Sequence, residues 1–139
     1  MGGENSPKKI IDGIKLHSNK SKNIFYKIFG NKEIIERELS KISLKREIYE
    51  VIHTDKKIED TDSALSAAKR GKDTSMWMAI ESVKNKESDI VVSAGNTGAL
   101  FVISKLNLEM IENIDKPALS ALWPNKKGMS VVLDLGANI

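Results

Sequence analysis

The chain has 139 residues, 22 basic and 19 acidic, with two histidines, no cysteine and a formal charge of +3. This length suits one domain with a core of its own, and the absence of cysteine excludes a disulfide framework, a thiol nucleophile and a thiolate metal site. Acidic residues interleave with the basic ones, so no stripe marks a nucleic-acid face; His17 and His53 lack metal-ligand spacing, and no metal or cofactor is expected.

No apolar run approaches the ~20 residues of a membrane span, and the first residues, MGGENSPKK, lack the apolar core of a signal peptide. A cytoplasmic protein is the expectation.

Ser6-Pro7 reads as a cap followed by proline at the first helical position, and Ile10, Ile11 and Ile14 supply an apolar face, which predicts a helix over Pro7 to His17. Asn23 to Phe29, β-branched and aromatic, predicts a strand ending at Gly30-Asn31, where Asn31 caps a helix with Ile35, Leu39 and Ile42 on one side. Glu47 to Ile52 alternates as a further strand. His53 to Asp62 is a polar connection, with His53 a structural residue at the strand end and Asp62 and Ser63 candidate caps.

Ser63 to Arg70 reads as a helix, Gly71-Lys72-Asp73 breaks it, and Thr74 opens another running to about Asn85 with Trp77, Ala79 and Ile80 inward. Met76, Trp77 and Met78 read as core. Ser75, at the start of that helix, is a candidate anion contact.

Asp89 to Ile111 carries the most information. An apolar run, Ile90-Val91-Val92, leads into a polar glycine turn and then into apolar residues at helical spacing, which predicts a strand delivering Ser93, Gly95, Asn96, Thr97 and Gly98 to a sheet edge where a helix begins. Open α/β folds bind ligands at such an edge. Glycine permits close backbone approach, and the first amides of a helix point outward with partial positive charge, which suits phosphate. The turn is neither GxGxxG nor a Walker loop, and an alternative reading makes Asn96 or Thr97 simply a helix cap. The helix over Leu100 to Ile111 is expected to be buried between sheet and solvent rather than to lie on a membrane surface.

Pro117 to Leu122 and Ser130 to Leu133 flank the turn Trp123 to Gly128 and predict a hairpin, so the sheet should be mixed. Asp134-Leu135-Gly136-Ala137-Asn138 follows as a second polar turn. If both strands share one sheet, Asp134 and Asn138 face Ser93, Asn96 and Thr97 across one crevice. Strands alternating with helices place the chain in the α/β class as a single domain.

MGGENSP, HTDKKIEDTDSALSAAKRGKDTSM, VVSAGNTGAL, DKPALSALWP and VVLDLGAN, in that order from Met1 to Ile139, closely resemble the bacterial phosphate acyltransferases of phospholipid synthesis, the PlsX family. The resemblance implies a three-layer α/β fold like that of isocitrate dehydrogenase and phosphotransacetylase, here an amino-terminal half truncated at both ends. Glu4 stands where the family has Asp, and the strand that precedes the family's first glycine turn is not in this sequence.

The implied reaction joins inorganic phosphate to the fatty acyl group of acyl carrier protein, giving acyl phosphate and free carrier protein. Phosphate is itself the nucleophile, so the protein must hold the anion against a carbonyl carbon and stabilise an oxyanion. By resemblance, Ser93, Gly95, Asn96, Thr97 and Gly98 contact phosphate or acyl phosphate, with Gly2, Gly3, Ser75 and Asn138 as additional candidates. Catalytic residues are unassigned. The resemblance further implies a homodimer in the full-length family and a membrane acyltransferase that consumes the product, hence a site peripheral to the membrane. Two alternatives stand beside it: a catalytically inactive remnant or half of a split enzyme, and a small nucleotide-binding module, against which the lack of GxGxxG with an acidic ribose partner counts.

Overall fold

The computed structural model describes residues 2–136. Helix α1 (Lys8–Lys20) buries Ile11 and runs beyond the predicted His17 end. Ser6 does not cap it. Its amide turns back to the Gly3 carbonyl at 3.3 Å, and Pro7 takes the cap position without a side-chain bond.

Strands β1 (Tyr26–Gly30) and β2 (Tyr49–His53) pair in parallel, in register from Tyr26 with Tyr49 to Gly30 with His53. Parallel neighbours need a crossover. Helix α2 (Lys32–Leu39) supplies it, capped as predicted by the Asn31 side chain, which accepts from the Ile34 amide at 3.0 Å. Alternation along the strands then separates two faces. On one, Ile28 joins Ile11, Ile35 and Leu39 in a buried cluster, with Tyr26 and Val51 against it. On the other, Phe29 and Ile52 line a cavity with Met78, and Lys27 pairs with Glu87 at 2.9 Å.

Helices α3 (Ala64–Lys69) and α4 (Ser75–Lys84) both pack on α5 (Thr97–Asn107), and α4 also packs on β1. Their shared core is Ile58, Ala67, Met76, Trp77, Ile80, Ala99 and Ile103. Met78 and Ala79 are only half-buried. Helix α5 ends before the predicted Ile111, where the Asn107 side-chain Nδ2 donates to the Ile103 carbonyl at 2.8 Å and Leu108 leaves in extended backbone.

Two expectations fail. Ile90-Val91-Val92 is not a strand: it forms no ladder with any strand among the described residues, and a strand exists only through such pairing. The side-chain pattern of a strand survives, with Val91 against the core and Ile90 and Val92 76% and 80% exposed. The single mixed sheet is likewise absent. Strands β3 (Ser120–Asn125) and β4 (Gly128–Leu133) form a separate antiparallel hairpin, closed more tightly than predicted at Lys126-Lys127. What forms is a mixed α/β chain with one small parallel and one small antiparallel sheet.

Candidate functional site

The turn 93–96 is held from three directions. Gly3 lies against it so closely that a Cβ on Gly3 would stand 2.1 Å from the Ala94 carbonyl oxygen, and the same residue has φ +82°. No residue with a side chain fits there without moving backbone. A Cβ on Gly95 would meet the Met76 methyl at 3.3 Å, so the start of α4 packs against the turn as well. The third support is the loop 59–62, reached by Asn96.

Asn96 uses both ends of its side chain. Its Oδ1 accepts from the Ala99 amide at 2.9 Å and caps α5, while its Nδ2 donates to the carbonyls of Asp62 at 2.8 Å, Asp60 at 3.2 Å and, more weakly, Glu59 at 3.4 Å. Ser93 Oγ accepts from the Gly95 amide at 3.2 Å, which closes the turn on itself. Thr97 is exposed as the first residue of α5. The amides of Thr97 and Gly98 have no acceptor within the helix, as helix geometry dictates at an N-terminus. A Cβ on Gly98 would reach the Ala64 methyl at 3.5 Å, an ordinary contact, so that glycine eases the approach of α3 without being demanded by it.

Ser75 is buried at the start of α4, its amide donating to the Lys56 carbonyl at 3.0 Å, and Thr74 caps that helix through the Trp77 amide. Lys56 also pairs with Asp73 at 2.7 Å, and this ammonium holds the Asp73 carboxyl below its ordinary range. A cavity of about 240 Å³ opens beside the glycine turn, between Gly2, Gly3 and Pro7 on one side and Lys57, Ile58 and Asp60 on another. Its charges are mixed, since Lys57 pairs with Glu59 at 3.2 Å. Among the described residues no three His, Asp or Glu side chains are placed to hold a metal.

Of the residues singled out from sequence, Gly2, Gly3, Gly95 and the start of α4 meet around one turn, with Ser93, Asn96, Thr97 and Gly98 in that turn or the helix it opens. Asn138 lies outside the described residues. The expected crevice between the two polar turns is not built through a shared sheet, because β4 pairs only with β3 among the described strands. His53 ends β2 with an exposed side chain, Nδ1 accepting from the Lys32 amide at 3.2 Å. Sequence reasoning missed the grip of Asn96 on residues 59–62. Nothing in the spacing signals it, because the partners are carbonyls some 34 residues or more away.

A family model described as "Fatty acid synthesis protein" matches residues 1–139. The chain belongs to that family. Within it, this member is 68% identical over 139 residues to the phosphate acyltransferase of Pelagibacter ubique, covering all of this chain and 41% of that relative. It is 42% identical over 140 residues to the phosphate acyltransferases of Rhodopseudomonas palustris and Parvibaculum lavamentivorans, covering 40% and 39% of their lengths. This member of the fatty acid synthesis protein family therefore spans about two fifths of the relatives it matches. Among its described residues no helix is long and apolar enough to cross a membrane.

Proposed function

We propose that this chain supplies the amino-terminal part of a phosphate acyltransferase, as part of one three-layer α/β domain, and that its 93–98 turn holds inorganic phosphate. In the reaction a phosphate oxygen attacks the thioester carbonyl of fatty acyl-acyl carrier protein, the carbon–sulfur bond breaks, and the thiolate leaves and takes up a proton. Acyl phosphate and free carrier protein are the products. The observation that carries this reading is the docking of the Gly2-Gly3 turn and the α4 start against Ala94-Gly95, next to the open amides of α5. Backbone amides at a helix N-terminus suit a phosphate dianion, and no side-chain nucleophile is required.

On this reading the anion meets the amides of Thr97 and Gly98, the hydroxyls of Ser93 and Thr97, and the backbone at Gly95 and Asn96, with Ser75 and Asn138 as outer contacts. Acyl carrier protein is the macromolecular substrate, the full-length protein is a homodimer, and its product passes to a membrane acyltransferase from a cytoplasmic, peripheral position. Half of a split enzyme is a second reading. Under it, the exposed apolar residues Ile90, Val92, Leu122, Val131 and Leu133, on strand-like segments, are the surface a second polypeptide would cover.

Thermal unfolding with and without millimolar phosphate tests the site. An anion that binds only the folded state stabilises it by about 2.7 kcal/mol at one hundred times its Kd, so a raised cooperative transition is expected with phosphate and none with chloride at equal ionic strength. A transition indifferent to phosphate overturns the assignment of the turn.

A further inference from the structure

We propose that Asn96 is a positioning residue: its side chain clamps the 59–62 loop to the start of α5, and anion binding at the 93–98 turn depends on that clamp rather than on a contact from the Asn96 side-chain amide. The inference rests on the phosphate reading above.

A primary amide offers one carbonyl oxygen and two N–H donors. In Asn96 the oxygen is taken by the Ala99 amide, and the nitrogen faces the Asp62, Asp60 and Glu59 carbonyls. The N–H groups that would meet a phosphate are turned into the loop. The Asp62 carboxylate adds a second tie: its Oδ2 accepts from the Glu59 amide at 2.8 Å, and its Oδ1 pairs with Arg70 at the end of α3, also at 2.8 Å. That carboxylate side chain is only 9% exposed. Residues 59–62 are thus tied to α5 through their carbonyls and to α3 through the Asp62 carboxylate. Glu59 and Asp60 also line the cavity beside Gly2 and Gly3, which in turn lie against Ala94 and Gly95. Loosening the loop releases the support of the turn on two sides.

The 139-residue chain with inorganic phosphate as probe is sufficient for the test. N96S keeps a capping oxygen, loses the amide donors and adds no charge beside the anion; D62A loosens the loop and leaves Asn96 intact. Amide hydrogen exchange at residues 59–62 reads the clamp without phosphate, and the phosphate-dependent thermal shift reads binding. Both variants are expected to speed exchange at 59–62 about tenfold, with the Ala99 amide of N96S within about threefold of the parent, as loss of one or two hydrogen bonds implies. Each is expected to raise the half-saturating phosphate concentration about fivefold, and the double variant to exceed the worse single by less than about twofold, because both act on one element.

Weaker phosphate binding in N96S with unchanged binding in D62A makes Asn96 a direct ligand and overturns the proposal, as does unchanged exchange at 59–62 in N96S. R70A loosens the loop by freeing the Asp62 carboxylate and replaces either variant that does not fold, with the same expected direction. Normal phosphate binding in a loop-loosened R70A chain likewise overturns the proposal. A parent chain that ignores phosphate overturns the phosphate reading instead, and the exchange measurement still decides whether the clamp exists.

Discussion

Gly3 and Ala94, ninety-one positions apart in sequence, lie backbone against backbone, with room for no Cβ on Gly3. The contact joins the amino-terminal turn to the loop that opens α5. Gly3→Ala meets both a carbonyl at 2.1 Å and a left-handed φ, and is expected to cost about 2–4 kcal/mol in denaturant-unfolding free energy.

Gly13 makes the opposite case. It sits inside α1, where a Cβ would meet nothing beyond its own helix within 4 Å. Gly13→Ala is expected to stabilise the chain by about 0.5–1 kcal/mol through helix propensity, so the pair of variants separates a steric glycine from an incidental one.

Ile80 and Ile103 are fully buried where α4 and α5 meet the shared core. Truncating either to Ala should lose about 2–5 kcal/mol, while Leu65→Ala, at a residue 64% exposed on α3, should stay within about 0.5 kcal/mol. Comparable losses at all three positions would deny that this cluster is the core.

Asn31→Ala removes the side-chain acceptor of the Ile34 amide and should cost about 0.5–2 kcal/mol. Exchange of the first amides of α2 is the local readout, and it should quicken while exchange in α5 does not change.

Lys56 beside Asp73 lowers that carboxyl's pKa in the folded state. A depressed acid favours folding above its unfolded value, 3.8, and that contribution disappears as pH falls through the lower folded value. Replacing Lys56 by Met should flatten the acid limb of stability against pH in urea titrations. The pair is exposed, so the change should be small and should shrink further in salt.

Much of the local structure was legible before the fold was seen. Asn31, Ser63 and Thr74 cap α2, α3 and α4 because short polar side chains accept from amides two or three residues on, a relation that needs only near neighbours. Ile35, Leu39 and Ile80 are buried as their spacing requires. The site turn was legible in part: Asn96 does open α5, and glycines do bring backbone close at Gly3 and Gly95.

By itself, then, the sequence determined the presence of the helices, the caps of α2 to α5, the β1–β2 strand signals and the glycine turn, all products of backbone preference and side-chain periodicity over a few residues. Tertiary structure alone decided that Ile90-Val91-Val92 stays unpaired, that the hairpin stands apart from the parallel pair, and that Asn96 grips the 59–62 loop. These depend on which backbone groups find partners across distant stretches of chain. Hydrogen bonds between residues thirty or more positions apart have no periodic signature to read.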